Sequence, residues 1–244
     1  KMDIIIPTVK PDEMETLLPA RTIGCSFICI RAQELIDNNG QPRALFYKIK
    51  DAGGLHSYFN HKGKIILSFI MKDFLLKNME LAQYIRFINS LKPNYYTTPD
   101  CESYDLERYY SKKQILSAYE KTQKIISSCD SSIPIGHVKG ADEEQIHWHY
   151  KKLKNLGIRI FLIHTGDFFR NGQPDKIQKA KHYAYMIKNQ DNIVLLYGFG
   201  SQKKLEEFSF VDGMITFNHF VTALNGMIFF GRKKTNTITK ITLM

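Results

Sequence analysis

The tract NIVLLYGFGSQKKLEEFSFVDGMITF, residues 192–217, constrains the fold most tightly. NIVLLYG is a continuous apolar run, and VDGMITF is a second one. Strands without polar alternation are buried on both faces, which is the habit of parallel sheets. Parallel neighbours need a crossover, and KKLEEF between the two runs has the apolar spacing of a short amphipathic helix. The tract therefore predicts one β-α-β step, with a Gly-Phe-Gly-Ser turn at the carboxyl end of its first strand. Free N–H groups and the positive end of the following helix can receive a ligand at such a turn.

The rest of the chain repeats this rhythm. Apolar strands are predicted over 23–30, 64–70, 94–98, 133–139 and 159–164, and helices over 79–91, 106–127, 142–156 and 175–189. Residues 44–48 read as a short strand, 51–62 as a loop, and 226–231 and 237–243 as β-rich. Pro7, Pro11 and Pro19 break any long helix, so residues 1–20 read as an irregular segment. Repeated strand–helix alternation without a linker predicts the α/β class, as a (β/α)8 TIM-type barrel in one domain over residues 1–244.

Composition narrows the partners. The chain has 244 residues, enough for one large core. It has no run of 18 apolar residues and no signal-peptide pattern, which predicts a soluble, cytoplasmic protein with no membrane partner. A net charge of +10 favours a polyanion, tRNA or DNA, because phosphates reward clustered Lys and Arg; a Lys-rich surface that serves only solubility is the alternative. Cys25 and Cys29 fall in one strand roughly 13 Å apart, too far for a disulfide or a shared metal ion, and read as buried thiols. His147 and His149 are two apart on a helix and do not form a zinc pair. No metal or cofactor is expected.

In a barrel the chemistry sits at the carboxyl ends of the strands. Those ends supply Ser68 and Asp73; Thr98 and Asp100; His137, Lys139 and Gly140; His164, Thr165 and Asp167; Tyr197, Gly198 and Gly200; and Thr216, Asn218 and His219. Carboxylates there can act as nucleophile, as general base, or as acceptors for the N–H edge of a purine. Asp100, directly after Pro99 at a strand end, is the leading candidate, whereas Asp105 and Asp142 fit helix caps or solvated loops.

Three stretches resemble the tRNA-guanine transglycosylase superfamily. KPNYYTTPD, residues 92–100, is similar to the strand whose terminal Asp reads the guanine edge. IGHVKG, residues 135–140, is similar to the family's V-Q-G strand end, with Lys139 where Gln is usual. GFGSQKKLEEFSFVD, residues 198–212, is similar to its G-x-G turn, helix and V-D tract. The resemblance spans roughly residues 60–230 and implies a barrel that exchanges guanine for a 7-deazaguanine in nucleic acid, a pentosyltransferase activity. It implies Asp100 on the base edge, with Ser68, Lys139, Gly140, Thr165, Gly198 and Gly200 around the substrate. Asp73 and Asp212 are the carboxylates left to supply catalysis.

The chain also departs from the family pattern. LSFIMKDF stands where the family has D-S-G-(G/A)-F, and Ile215 stands at the nucleophilic Asp. No cysteine follows Cys129, so the family's zinc site is missing. Three readings follow: a divergent transglycosylase acting on tRNA or DNA, a non-catalytic nucleic-acid-binding subunit with a protein partner, or a barrel enzyme for a small phosphorylated substrate.

Overall fold

The computed structural model describes residues 4–9, 11, 26–103, 107–165, 174–189, 191–198, 206–216, 227–232 and 237–242. Eight parallel strands close into a barrel in chain order: β1 Ile4–Val9, β2 Phe27–Arg31, β3 Lys64–Ser68, β4 Tyr95–Thr97, β5 Ile133–His137, β6 Ile160–His164, β7 Ile193–Tyr197 and β8 Gly213–Thr216. The described helices are α1 Ala44–Asp51, α2 Leu55–Phe59, α3 Asp73–Leu76, α4 Leu81–Leu91, α5 Arg108–Ile126, α6 Glu143–Asn155 and α7 Pro174–Ile187. Met227–Arg232 and Thr237–Thr242, β9 and β10, form a separate antiparallel pair. The expected (β/α)8 architecture is the observed one.

Three local expectations are corrected. The first twenty residues are not wholly irregular: Ile4–Val9 is the strand that closes the barrel, with Ile4, Ile5, Ile6 and Pro7 in register with Gly213, Met214, Ile215 and Thr216. Pro7 removes one donor, and the pairing of its neighbours on both sides outweighs that loss. Residues 44–48 belong to helix α1, which buries Phe46 and Ile49 three apart on one face. The 51–62 loop contains the single-turn helix α2.

Side chains alternate across the barrel wall. Outward residues Ile28, Ile30, Ile65, Leu67 and Tyr96 pack with helical Phe46, Phe87 and Ile88 in one cluster. Phe161, Ile163, Val194, Leu196 and Met214 pack with Tyr150, Leu153, Ala184 and Ile187 in another. The inward set is Ile6, Cys29, Ile66, Ile135, Leu162, Leu195 and Ile215, with Tyr95 packed against it. Each fully buried Ile, Leu or Phe adds about 1.5–3 kcal/mol of stabilisation. The barrel centre is thus a packed apolar layer, and only its two ends are open to chemistry.

Helix starts are fixed by their own side chains. Gln83 accepts from the Glu80 amide at 2.7 Å and begins α4. Asp142 caps α6 by accepting from Gln145 N at 2.9 Å. Gln145 then donates to Arg108 O at 2.8 Å, which ties α6 to the start of α5. Among the described residues, no helix is long and apolar enough to cross a membrane.

Candidate functional site at the carboxyl-terminal mouth

One step beyond the apolar layer, the same alternation directs Thr8, Arg31, Ser68, Thr97, His137, His164 and Tyr197 inward at the carboxyl-terminal end. The mouth is therefore polar above an apolar plug. Its floor is closed by a contact across the barrel: Ser68 Oγ donates to Tyr197 Oη at 3.4 Å, although β3 and β7 stand four strands apart in the ring. His164 lies edge-on to Tyr197 at 5.5 Å and to His137 at 6.3 Å between ring centres. Burial pushes the Tyr197 hydroxyl far above its ordinary range, so it stays protonated and neutral.

Asp100 sits over this floor. Its Oδ1 accepts from Cys101 N at 2.8 Å and lies 3.4 Å from His137 Nδ1 and 3.3 Å from Lys139 Nζ. The Asp100 side chain is 6 % exposed and that of His137 is fully buried. Among the described residues these contacts fall on Oδ1, and Oδ2 is the oxygen left to take a ligand N–H.

Two further contacts place the array. Thr98 Oγ1 accepts from His137 N at 2.9 Å, locking the β4 end to β5. His149 on α6 puts Nδ1 3.1 Å from Lys139 N, which fixes the backbone from which Lys139 reaches Asp100. Burial drives the His149 pKa down to about 4, so the ring is neutral. Its Nδ1 faces both Lys139 N and, at 3.2 Å, Lys139 O, and the tautomer decides whether it accepts from the amide or donates to the carbonyl.

The other expected site residues divide by position. Ser68 is in the mouth, where its Oγ also accepts from Ile70 N at 3.3 Å. Thr165 is there too, with both its amide and its hydroxyl donating to Tyr197 O at 2.9 Å; it braces the β6–β7 ends. Gly198 follows β7 with φ +79°, a conformation that favours glycine, and donates to Ile215 O at 3.0 Å. A Cβ on Gly140 would stand 2.6 Å from Ile146 N, so this glycine lets the β5 end lie against the first turn of α6. Gly200, Asp105, Asp167, Asn218, His219 and Cys25 lie outside the described residues.

Of the two expected catalytic carboxylates, Asp212 does not lie at the mouth with Asp100. Asp212 precedes β8 and belongs to the opposite, amino-terminal end of the barrel. There it accepts from Val194 N at 2.7 Å and pairs with Lys188 Nζ at 2.7 Å. Asp73 is exposed at the first position of α3, five residues after the end of β3. Ile215 is fully buried in the apolar layer and offers no nucleophile. The thiols do not replace it, because burial raises both Cys29 and Cys101 to about 12 and keeps them protonated.

Arg31 is a mouth residue that strand-end reading missed. It ends β2 and forms an ion pair with Glu34 across the single 3-10 turn Ala32–Leu35. The signal was present in FICIR, an apolar run ending in a charge. On the rim, Lys77 and Tyr110 both engage Glu102, and the Tyr110 hydroxyl holds that carboxyl below its ordinary value. Arg108 pairs with Asp142 at 2.6 Å and with Glu144. Among the described residues, no group of three or more His, Cys, Asp or Glu is placed to hold a metal ion. Sequence comparison finds no protein-family model and no curated protein that matches this chain. The chemistry of the mouth is therefore read from its own geometry.

Proposed function

We propose that the mouth of this barrel holds a guanine-like base, guanine or a 7-deazaguanine, of tRNA or DNA, and binds it without exchanging it. The observation that carries this reading is Asp100: a mostly buried carboxylate with one oxygen bonded to an amide and close to a histidine and a lysine, and a second oxygen that makes no such contact among the described residues. A guanine edge offers adjacent N–H donors, and a charged acceptor in a low-dielectric site binds them more strongly than a neutral one. The edge-to-face rings of Tyr197, His164 and His137 line the floor beneath with aromatic surface against which a base can pack. A base in a nucleic-acid chain reaches such a site by turning out of its stack. The net charge of +10 supports a polyanionic carrier for that base.

Exchange of the base would require a nucleophile to hold the ribose after the bond breaks. Ile215 in the apolar layer and Asp212 at the far end favour a binding role, as in a subunit that works with a catalytic partner.

The test is fluorescence anisotropy with single-stranded RNA and DNA carrying one guanine, compared with inosine, which lacks the exocyclic amine. Guanine should bind more tightly, and affinity should fall steeply with salt. Asp100→Asn should weaken guanine binding by about 1–3 kcal/mol, because half of the acceptor becomes a donor. Incubation with tRNA and labelled guanine should leave no covalent adduct on a denaturing gel. Equal affinity for guanine and inosine, or an unchanged affinity in folded Asp100→Asn, would refute the assignment. A trapped adduct would restore the exchange reading.

A further inference from the structure

The opposite end of the barrel carries a different surface. Ile133 and Ile193 begin β5 and β7 and are 53 % and 43 % exposed. They share parity with Ile135 and Leu195 in the inward layer, so they direct apolar surface to the amino-terminal opening of the barrel axis. Exposed basic residues stand around them. Lys64 begins β3, with Lys62 two residues earlier; Lys92 precedes β4 and Arg159 precedes β6.

Backbone bonds place these groups together. Ile193 N donates to Arg159 O at 2.9 Å, and Ile133 N donates to Asn94 O, two residues beyond Lys92, at 2.9 Å. Asn94 also accepts from Ile65 N at 2.8 Å, which brings Lys64 to the same edge. Among the described residues the acids at this end are fewer: Asp130 and Asp191 are exposed, and Asp212 is occupied by Lys188.

Helix dipoles explain basic residues in the last turns of helices. They do not explain Lys62, Lys64 and Arg159, which lie in the segments leading into strands, nor half-exposed isoleucines at the barrel axis. We infer that this amino-terminal face is a docking surface for an acidic protein segment with aliphatic anchors. The cations select the charge, and Ile133 and Ile193 bury the anchors. The rings of Phe27 and Tyr95 share this opening, but they are partly buried against the inward layer with centres 6.2 Å apart, whereas the more exposed apolar surface is that of Ile133 and Ile193. Aliphatic anchors favour a protein over a single-stranded nucleic acid, which calls for exposed rings to stack on. The inference is independent of base binding at the mouth.

Anisotropy with three labelled probes at one ionic strength tests it: a Glu/Leu amphipathic peptide, its Lys/Leu counterpart, and oligothymidylate. The full chain should bind the Glu/Leu peptide and not the Lys/Leu peptide. Lys64→Glu with Arg159→Glu should weaken binding at least about tenfold. Ile133→Thr with Ile193→Thr, which keeps β-branching and removes apolar surface, should do the same. The charge pair is wholly on the surface, so its result stands even if the isoleucine pair fails to fold. Peptide affinity unchanged by the charge pair would overturn the inference. Tighter binding of oligothymidylate, lost in the charge pair, would make the face a nucleic-acid surface instead. Self-association abolished by these substitutions would assign it to a second copy of this chain.

Discussion

His149 gives the sharpest quantitative test of how the site is held. Its ring is buried, its Nδ1 lies 3.1 Å from Lys139 N, and Lys139 Nζ lies 3.3 Å from Asp100. Burial is the leading cause that lowers its pKa from 6.5 to about 4. In the unfolded chain the ring takes up a proton near pH 6.5; in the folded chain it resists until about pH 4. Between these values the unfolded state binds more protons, so stability falls as the pH falls. At about 1.4 kcal/mol per pH unit the loss is about 3 kcal/mol, complete near pH 4. Urea unfolding of the wild type and of His149→Asn between pH 7 and pH 4 measures it. Asn can still accept from the Lys139 amide but does not titrate. The wild type should lose about 3 kcal/mol more than the variant across that window. His61 is lowered in the same direction, first by its own burial, but it is present in both proteins and cancels in the difference. Parallel pH profiles, or an imidazole signal for His149 titrating near 6.5, would refute the reasoning.

Gly140→Ala should destabilise the fold by about 1–3 kcal/mol in thermal or urea unfolding, because the new methyl meets the Ile146 amide of α6. Asp212→Ala should cost about 1–3 kcal/mol of stability by orphaning Val194 N and removing the counterion of Lys188, while leaving base affinity at the mouth unchanged. A fall in base affinity without a fall in stability would return Asp212 to the site.

The alternation of apolar runs with amphipathic helices was enough to specify a barrel. It is a local signal: strands such as IFLIH and IVLLY are buried on both faces whatever their neighbours are. Asp100 was legible for the same reason, since a polar residue just after a parallel strand belongs to the mouth. That rule also separates Asp212, which stands before its strand; resemblance to a V-D motif concealed a position that strand polarity alone excludes. Closure by β1 was not legible, because Pro7 disguises a strand whose stability comes from pairing with β8, more than 200 residues away. The Ser68–Tyr197 floor, 129 residues apart, and the grip of His149 on Lys139 were decided only when the ring closed. Periodicity specifies which face a side chain takes on its own element. Which side chains meet across the barrel depends on strand order and register, which no local stretch contains.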